Sequence, residues 1–277
     1  MSIIQTAAAD YVFGGDHNEL VRLLAQAADL RPESEWLLNE IPVREGSRVA
    51  DLGCGPIGIL DLLSQRVGPT GKVVGIEREP RFVAMAEAEI AKRGLHNTSV
   101  ALGDAFAPQL ERGSFDLVHE RLVLINMPIA NQLHLVSEMA TLARSGGIVA
   151  TESWDRASHV CYPNHPSWDV LNSAYRDAVR ATNGDGTTGR TLPSLLLSAG
   201  LSDIQTKVHV RAVEIGDPRR THRLGILEVA KLKILGLGRV SEAEFDKHRS
   251  ALADHLNDPN TLLIDQLFVQ AWGTKLG

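Results

Sequence analysis

Five short apolar runs, rich in β-branched residues and separated by helical patterns, restrict the fold of this chain more than any other feature. They lie at 47–52 (SRVADL), 72–77 (KVVGIE), 98–103 (TSVALG), 115–119 (FDLVH) and 147–153 (GIVATES). Runs of this length and content read as strands buried on both faces. Residues 57–67, 80–93 and 129–144 carry helical spacing between them, and the second of these opens on Pro80 and stops at Gly94. Strand–helix alternation requires right-handed crossovers, and therefore an α/β fold on a mostly parallel sheet.

Beyond residue 155 the rhythm changes. A loop rich in Pro, His and aromatics covers 156–168, a helix is expected at 169–181, and 183–189 (NGDGTTG) is a turn region. A helix at 190–199 closes at Gly200, and an alternating strand follows at 204–214. Two helices, 219–235 and 241–256, separate it from a last strand at 261–272. With N-terminal helices at 16–28 and 32–41, these late insertions are expected to roof a pocket over the sheet. The expected organisation is a helical cap or lid at 1–44, a ligand-binding core at 45–155, and the rest of the sheet with substrate-cap insertions at 156–277. All three belong to a single domain.

Composition removes several function classes. The chain has 277 residues, 44% hydrophobic and 22% charged, which suits a packed globular protein rather than a disordered one. Its 28 Lys and Arg against 34 Asp and Glu give a formal charge of −6, so a nucleic-acid partner is not expected. Glu228, Lys231 and Lys233 interrupt the best apolar stretch, 226–237, so no membrane partner is expected either. The first 15 residues lack a basic segment followed by an apolar one, the mark of a secretory signal. Two cysteines, Cys54 and Cys161, are too few for a disulfide scaffold. A cytoplasmic enzyme fits these limits. An apolar N-terminal helix leading into a cap would also offer a face for a homodimer.

The chemistry concentrates in VADLGCGPIG, residues 49–58, where the first strand turns toward a helix. Glycines at this turn let a ligand approach the backbone and the helix N-terminus. The spacing of Gly53, Gly55 and Gly58 also fits a dinucleotide fingerprint. Three acids argue for a different ligand. Asp51 precedes Gly53 by two residues, where a carboxylate repels a pyrophosphate but suits a cationic amino group. Glu77 ends the second strand, 22 residues beyond Gly55, placed to accept from ribose hydroxyls. Asp104 follows the third strand, where its carboxylate can accept from an adenine amino group while the Ala105 N–H bonds a ring nitrogen. One acid at a strand end is commonly a solvated or capping residue. Three on successive strand ends, beside a glycine turn, form a pattern.

These residues, with FDLVHERLVLINMP at 115–128 and RSGG at 144–147, resemble the class I S-adenosylmethionine-dependent methyltransferases. The resemblance covers roughly residues 45–155. It implies a Rossmann-like seven-stranded sheet with an antiparallel last strand and helices on both faces. It implies S-adenosyl-L-methionine as cofactor and S-adenosyl-L-homocysteine as product, with Asp51, Gly53 and Gly55 at the methionine end, Glu77 on the ribose, and Asp104 and Ala105 on the adenine. Arg78 falls where a side chain covers the adenine face. Glu120 falls where the family contacts the methionine amino group, and Arg121 is placed to pair with the cofactor carboxylate. Two departures stand out. The family's usual third glycine falls at Ile57, one place before Gly58, and its frequent histidine after the fourth strand is replaced within Ile125–Asn126.

A looser resemblance links YVFGGD at 11–16, HERL at 119–122, CYPNHP at 161–166, Gly189–Arg190 and AWG at 271–273 to a bacterial subgroup of small-molecule methyltransferases that tailor natural products. It implies a small, aromatic or heterocyclic acceptor, methylated on C, O or N, in a pocket above the ends of the fourth and fifth strands. Candidate lining groups are Tyr11, Asn126, Trp154, His159, Tyr162 and His165. Candidate catalytic groups are Tyr11, Glu120, His159 and Tyr162. His159, Cys161 and His165 lack a second ligand pair at zinc-site spacing, so no metal is expected. Rival readings are an NAD(P)-dependent oxidoreductase, which shares the glycine turn and the strand-two acid, and a non-catalytic cofactor-binding scaffold.

Overall fold

The computed structural model describes residues 17–184 and 186–277. The first strand, β1 (Arg48–Leu52), follows two helices, α1 (His17–Asp29) and α2 (Arg31–Glu40). The core then runs α3 (Leu60–Val67), β2 (Lys72–Glu77), α4 (Pro80–Arg93), β3 (Thr98–Leu102), β4 (Phe115–Arg121), α5 (Ile129–Leu142) and β5 (Ala143–Asp155). The remainder is β6 (Val160–Tyr162), α6 (Pro166–Arg180), α7 (Leu192–Ser198), β7 (Leu201–His209), α8 (Arg219–Gly236), α9 (Glu242–Asn257), β8 (Leu262–Ile264) and β9 (Leu267–Lys275).

Seven strands form the main sheet in the order β3-β2-β1-β4-β5-β9-β7. The first five pair in parallel, and β9 inserts antiparallel between β5 and β7. Both faces are covered, as near-continuous apolar strands require. On one face α5 and α7 bury Leu135, Val136, Met139, Leu192 and Leu196 against Ala50, Leu52, Val118 and Val149. On the other, α2 and α3 bury Leu37, Leu60 and Leu63 against Val49, Leu117 and Ala150. A third cluster joins α6, α8 and α9 around Leu171, Leu227 and Phe245 beside the sheet. This is the seven-stranded, mostly parallel fold expected, with its last strand antiparallel.

The loop expected at 156–168 holds the short strand β6 and the start of α6, and β5 begins at Ala143, inside the helix expected to run to residue 144; three further boundaries also differ from the sequence expectation. The helix after the glycine turn begins at Leu60, not at residue 57. Gly55 and Gly58 take left-handed φ values of 61° and 49°, and a Cβ at Gly58 would stand 2.5 Å from the Cys54 carbonyl oxygen. The chain therefore completes an irregular turn before it can coil. The strand expected at 204–214 occupies Leu201–His209, with a register shift between Ser202 and Gln205 that takes Asp203 to φ 50°. The last strand expected at 261–272 is two. Leu262–Ile264 pairs with β6 in a small second sheet, and Leu267–Lys275 enters the main sheet.

Candidate functional site

Sheet order reverses between β1 and β4, the place where an open parallel sheet leaves a crevice at its strand ends. Asp104, Glu77, Asp51 and Glu120–Arg121 terminate or follow β3, β2, β1 and β4, so spatial order along this edge follows β3-β2-β1-β4. The glycine turn lies in the middle. Gly53 has φ 73°, and a Cβ there would strike the Val123 side chain. Gly55 differs: a Cβ there would meet no atom within 4 Å, so its left-handed backbone faces open space. That space is a cleft of about 430 Å³ lined by Asp51, Gly53, Cys54, Gly55, Gly58, Arg121 and Leu122, with Leu23, Gln26 and Ala27 of α1 among its walls.

Glu77 holds the turn from the neighbouring strand. Its Oε2 accepts from the Gly55 N–H at 3.0 Å and its Oε1 from the Glu79 N–H at 2.9 Å. Burial pushes its pKa up, against those hydrogen bonds. Asp104 is exposed and accepts from the Phe106 N–H at 3.0 Å, while Ala105 is half-buried. Arg78 is exposed beside Glu77.

Asp51 opens a buried polar chain that crosses five strands. Its Oδ1 meets His119 Nδ1 at 2.7 Å, and His119 Nε2 meets Glu152 Oε1 at 2.8 Å. Gln270 Nε2 donates to Glu152 Oε2 at 2.6 Å, and Gln270 Oε1 lies 2.8 Å from His209 Nε2. Ser34 of α2 donates to Glu152 and accepts from Arg121, closing a second path back to the cleft. Burial works against charge on His119, but hydrogen bonds and charge from Asp51 and Glu152 outweigh it and push its pKa up to about 10. For Glu152 burial is likewise outweighed, chiefly by His119, and its pKa is held down. Two carboxylates, an imidazolium and the half-buried Arg121 guanidinium thus balance in charge.

Glu120 points to the opposite face. Fully buried, its Oε2 accepts from the Val123 and Leu124 N–H groups, while Oε1 has no partner among the described residues. Burial pushes its pKa up to about 7. It fixes the 124–126 turn, and it does not line the cleft wall that Asp51 and Arg121 form.

The far end of the polar chain, His209, opens on a second, shallow cavity, about 370 Å³ with its open solvent included, with Leu30, Trp154, Arg211, His222, Asp265 and Phe268 around it. Leu30, Leu122, Ile125, Trp154 and Phe268 form one apolar cluster that partitions the two spaces, Leu122 lining the cleft and Leu30, Trp154 and Phe268 the cavity. Leu122, in the partition, takes φ 62°, a conformation that non-glycine residues mostly adopt under local constraint. Burial pushes the pKa of His222 down, leaving its imidazole neutral near pH 7. Burial opposes the charge of Asp265, but His159, with Nε2 at 3.1 Å, outweighs it and holds the Asp265 pKa down.

Of the expected acceptor-side residues, Trp154 lines this cavity and His159 reaches it through Asp265. Asn126 is turned to its own loop, donating to the Leu122 carbonyl at 2.7 Å. Tyr162 is 68% exposed on β6 and lines neither cavity. His165 also lines neither: its Nδ1 caps α6 by accepting from Ser167 N–H, and its ring stacks on His255 at 4.7 Å. Tyr11 lies outside the described residues. His119, Glu152, Gln270, His209, His222 and Asp265 were not among the expected site residues. Gln270 had a signal, a polar side chain within the apolar run LFVQAW, and His119 and Glu152 directly follow the apolar runs of their strands.

Residues 44–187 match the methyltransferase domain family. Nocamycin O-methyltransferase of Saccharothrix syringae is 43% identical over 88 residues, 32% of this chain and 31% of that protein. Aklanonic acid methyltransferase of Streptomyces sp. (strain C5) is 35% identical over 108 residues, 39% of this chain and 48% of that protein. The match thus spans half or less of either relative. Among solved structures, Haemonchus contortus phosphoethanolamine N-methyltransferase 2, crystallised with phosphomonomethylethanolamine and S-adenosylhomocysteine, shares the fold. Its TM-score is 0.53 at 17% identity, over 96% of this chain and 56% of that one.

Proposed function

The chain belongs to the methyltransferase domain family, and from that premise we propose that it transfers a methyl group from S-adenosyl-L-methionine to a small-molecule acceptor. The observation that carries this reading is the open left-handed backbone at Gly55, facing a cleft with Asp51 and Arg121 in its wall and Glu77 locked to its turn. That donor set fits a zwitterionic amino acid joined to a nucleoside. Asp51 would take the ammonium and Arg121 the carboxylate, with Glu77 on the ribose and Asp104 and Ala105 on the adenine. Gly53 and Gly55 leave the backbone bare for close approach, and Arg78 is placed to cover the base. S-adenosylmethionine supplies, when bound, a methyl group on a good sulfonium leaving group.

The remaining work falls to alignment and exclusion of water. The apolar cluster of Leu30, Leu122, Trp154 and Phe268 borders both the cleft and the second cavity; we assign that cavity to the body of the acceptor, whose nucleophilic atom must displace part of this cluster to reach the sulfonium methyl. His222, neutral and lining it, is the group placed to accept a proton from a hydroxyl or enol acceptor, with the Asp265–His159 pair beside it. The names of the nocamycin and aklanonic acid relatives support a natural-product-like acceptor. Helix α1, within the proposed 1–44 lid, walls both spaces, and α2 joins it at the second.

Glu77→Ala tests the assignment. Loss of a charged acceptor should weaken S-adenosylhomocysteine binding by about 2 kcal/mol, read by calorimetry. Unchanged affinity would overturn it.

A further inference from the structure

Helix α8 carries two buried arginines three residues apart, Arg220 and Arg223, each 4% exposed, and the fold treats them oppositely. Arg220 is fully used: Nε donates to the Leu256 carbonyl at 2.6 Å, Nη1 to Val213 at 2.6 Å and Nη2 to Thr261 at 2.7 Å. Arg223 has only an aromatic face. Its guanidinium carbon lies 4.3 Å from the Tyr175 ring centroid, and its Nε and Nη1 are buried with no hydrogen-bond partner among the described residues.

A second guanidinium converges on the same tyrosine. Arg156, directly after β5, donates from Nη1 to the Tyr175 hydroxyl at 2.8 Å, and its Nε is also buried and unpartnered. Among the described residues no carboxylate forms an ion pair with either. The acids nearby in sequence are committed elsewhere: Asp155 to Arg190, and Asp177 to Arg180 and Arg239. Burial, with repulsion from Arg156 and Arg176, pushes the Arg223 pKa down to about 10, so the group still carries its charge at neutral pH. A buried charge without a partner is costly, and a protein that retains one holds a ready receptor for an anion.

We propose that Arg223 and Arg156, braced by Tyr175, form a subsite for a carboxylate carried by the methyl acceptor. The guanidinium pair does not itself line the acceptor cavity; it is joined to it through the backbone, Arg223 following His222 on α8 and Arg156 lying two residues beyond Trp154, and His222 and Trp154 do line it. It rests on the acceptor reading above for its source of carboxylate. A free small carboxylate would use the same guanidinium groups, and the experiment separates the two.

The probe is benzoate against its neutral counterpart benzamide, added to the full chain saturated with S-adenosylhomocysteine. Benzoate should raise the melting temperature saturably and shift the Arg223 and Arg156 Nε–H resonances, while benzamide does neither. Arg223→Met should melt no lower than wild type without anion, because an unpartnered charge is removed, and should lose benzoate binding at least tenfold. Arg156→Met is the second variant and should weaken benzoate in the same direction. In turnover, acceptor pairs differing by one carboxylate should show at least a tenfold kcat/KM preference for the acid, lost in Arg223→Met with S-adenosylhomocysteine affinity unchanged. Benzoate binding without that preference would identify a free-anion site and overturn the acceptor subsite. So would absence of benzoate binding, or a large drop in melting temperature for Arg223→Met, which would show the guanidinium already engaged. Benzoate binding by a chain that transfers no methyl group to any acceptor would overturn the acceptor source and the methyltransferase reading together, while the anion site itself stood. Methyl transfer with no response to benzoate would remove the subsite alone.

Discussion

His119 and Glu120 are neighbours on β4 whose side chains enter opposite faces of the sheet, and their protonation follows from what each meets there. His119 lies between two carboxylates and stays charged up to about pH 10; Glu120 meets two backbone N–H groups and no cation beyond its neighbour, so it stays protonated up to about pH 7. Both native pKa values lie above their unfolded ones, 6.5 and 4.5. In each window the folded chain holds the extra proton, so stability falls as pH rises. The Glu120 contribution is complete below pH 4.5 and lost by about pH 7, whereas that of His119 is complete below pH 6.5 and lost through about pH 10. Denaturant melts across this range should show Glu120→Gln flattening the lower window and gaining stability at pH 8 relative to wild type. A variant no more stable at pH 8 than at pH 4.5, each against wild type, would show that the carboxyl is not held neutral. Both residues lay in a motif legible in the sequence. Their opposite surroundings did not, because Asp51 and Glu152 reach His119 from other strands.

At the scale of elements, the glycine turn was legible because its constraints are local. Gly53 and Gly58 are required by contact with Val123 and with the Cys54 carbonyl, and Gly55 by its φ of 61° and the open space ahead of it. Gly55→Ala should therefore cost about 1–2 kcal/mol of stability for the left-handed backbone and project a methyl into the cleft. Calorimetry should find S-adenosylhomocysteine binding weakened at least tenfold, while circular dichroism shows the fold retained. Equal affinity would mean that no ligand approaches this turn. The strands β1, β2, β4 and β5 were legible for the same reason, since each buries a contiguous apolar run; β3, expected to be buried on both faces, is instead the edge strand and has no buried residue. Where a segment changes partner, local pattern failed. Residues 261–272 read as one strand, yet Leu262–Ile264 pairs with β6 and Leu267–Lys275 with β5 and β7. The start of α3 failed likewise: apolar spacing favours a helix from Ile57, and the Gly58 backbone forbids it until Leu60.

Across the whole molecule, the chain of hydrogen bonds from Asp51 to His209 ties the cleft to the second cavity through the middle of the sheet. Its members are drawn from β1, β4, β5, β9 and β7, and no motif reading joins residues so far apart in sequence. Gln270 is the link that separates the two ends. Its amide donates to Glu152 and to the Glu33 carbonyl, and its oxygen meets His209. Gln270→Leu preserves bulk but leaves those groups without their partner in a buried site. Glu152 Oε2 keeps its bond from Ser34, so two groups lose this partner, the Glu33 carbonyl and the His209 ring; at about 1–3 kcal/mol for each, the loss should total about 2–6 kcal/mol, visible as a lower melting temperature. The Asp51–His119–Glu152 segment would keep its own bonds and Arg121 its contact with Ser34, so S-adenosylhomocysteine affinity should stay within about twofold. His209 would lose its anchor at the cavity wall, so acceptor KM should rise several-fold. Equal loss of affinity for both ligands would mean that the sheet transmits the disturbance as a rigid unit. A selective loss on the acceptor side would show that each strand end holds its own ligand, with the buried chain serving to brace the two.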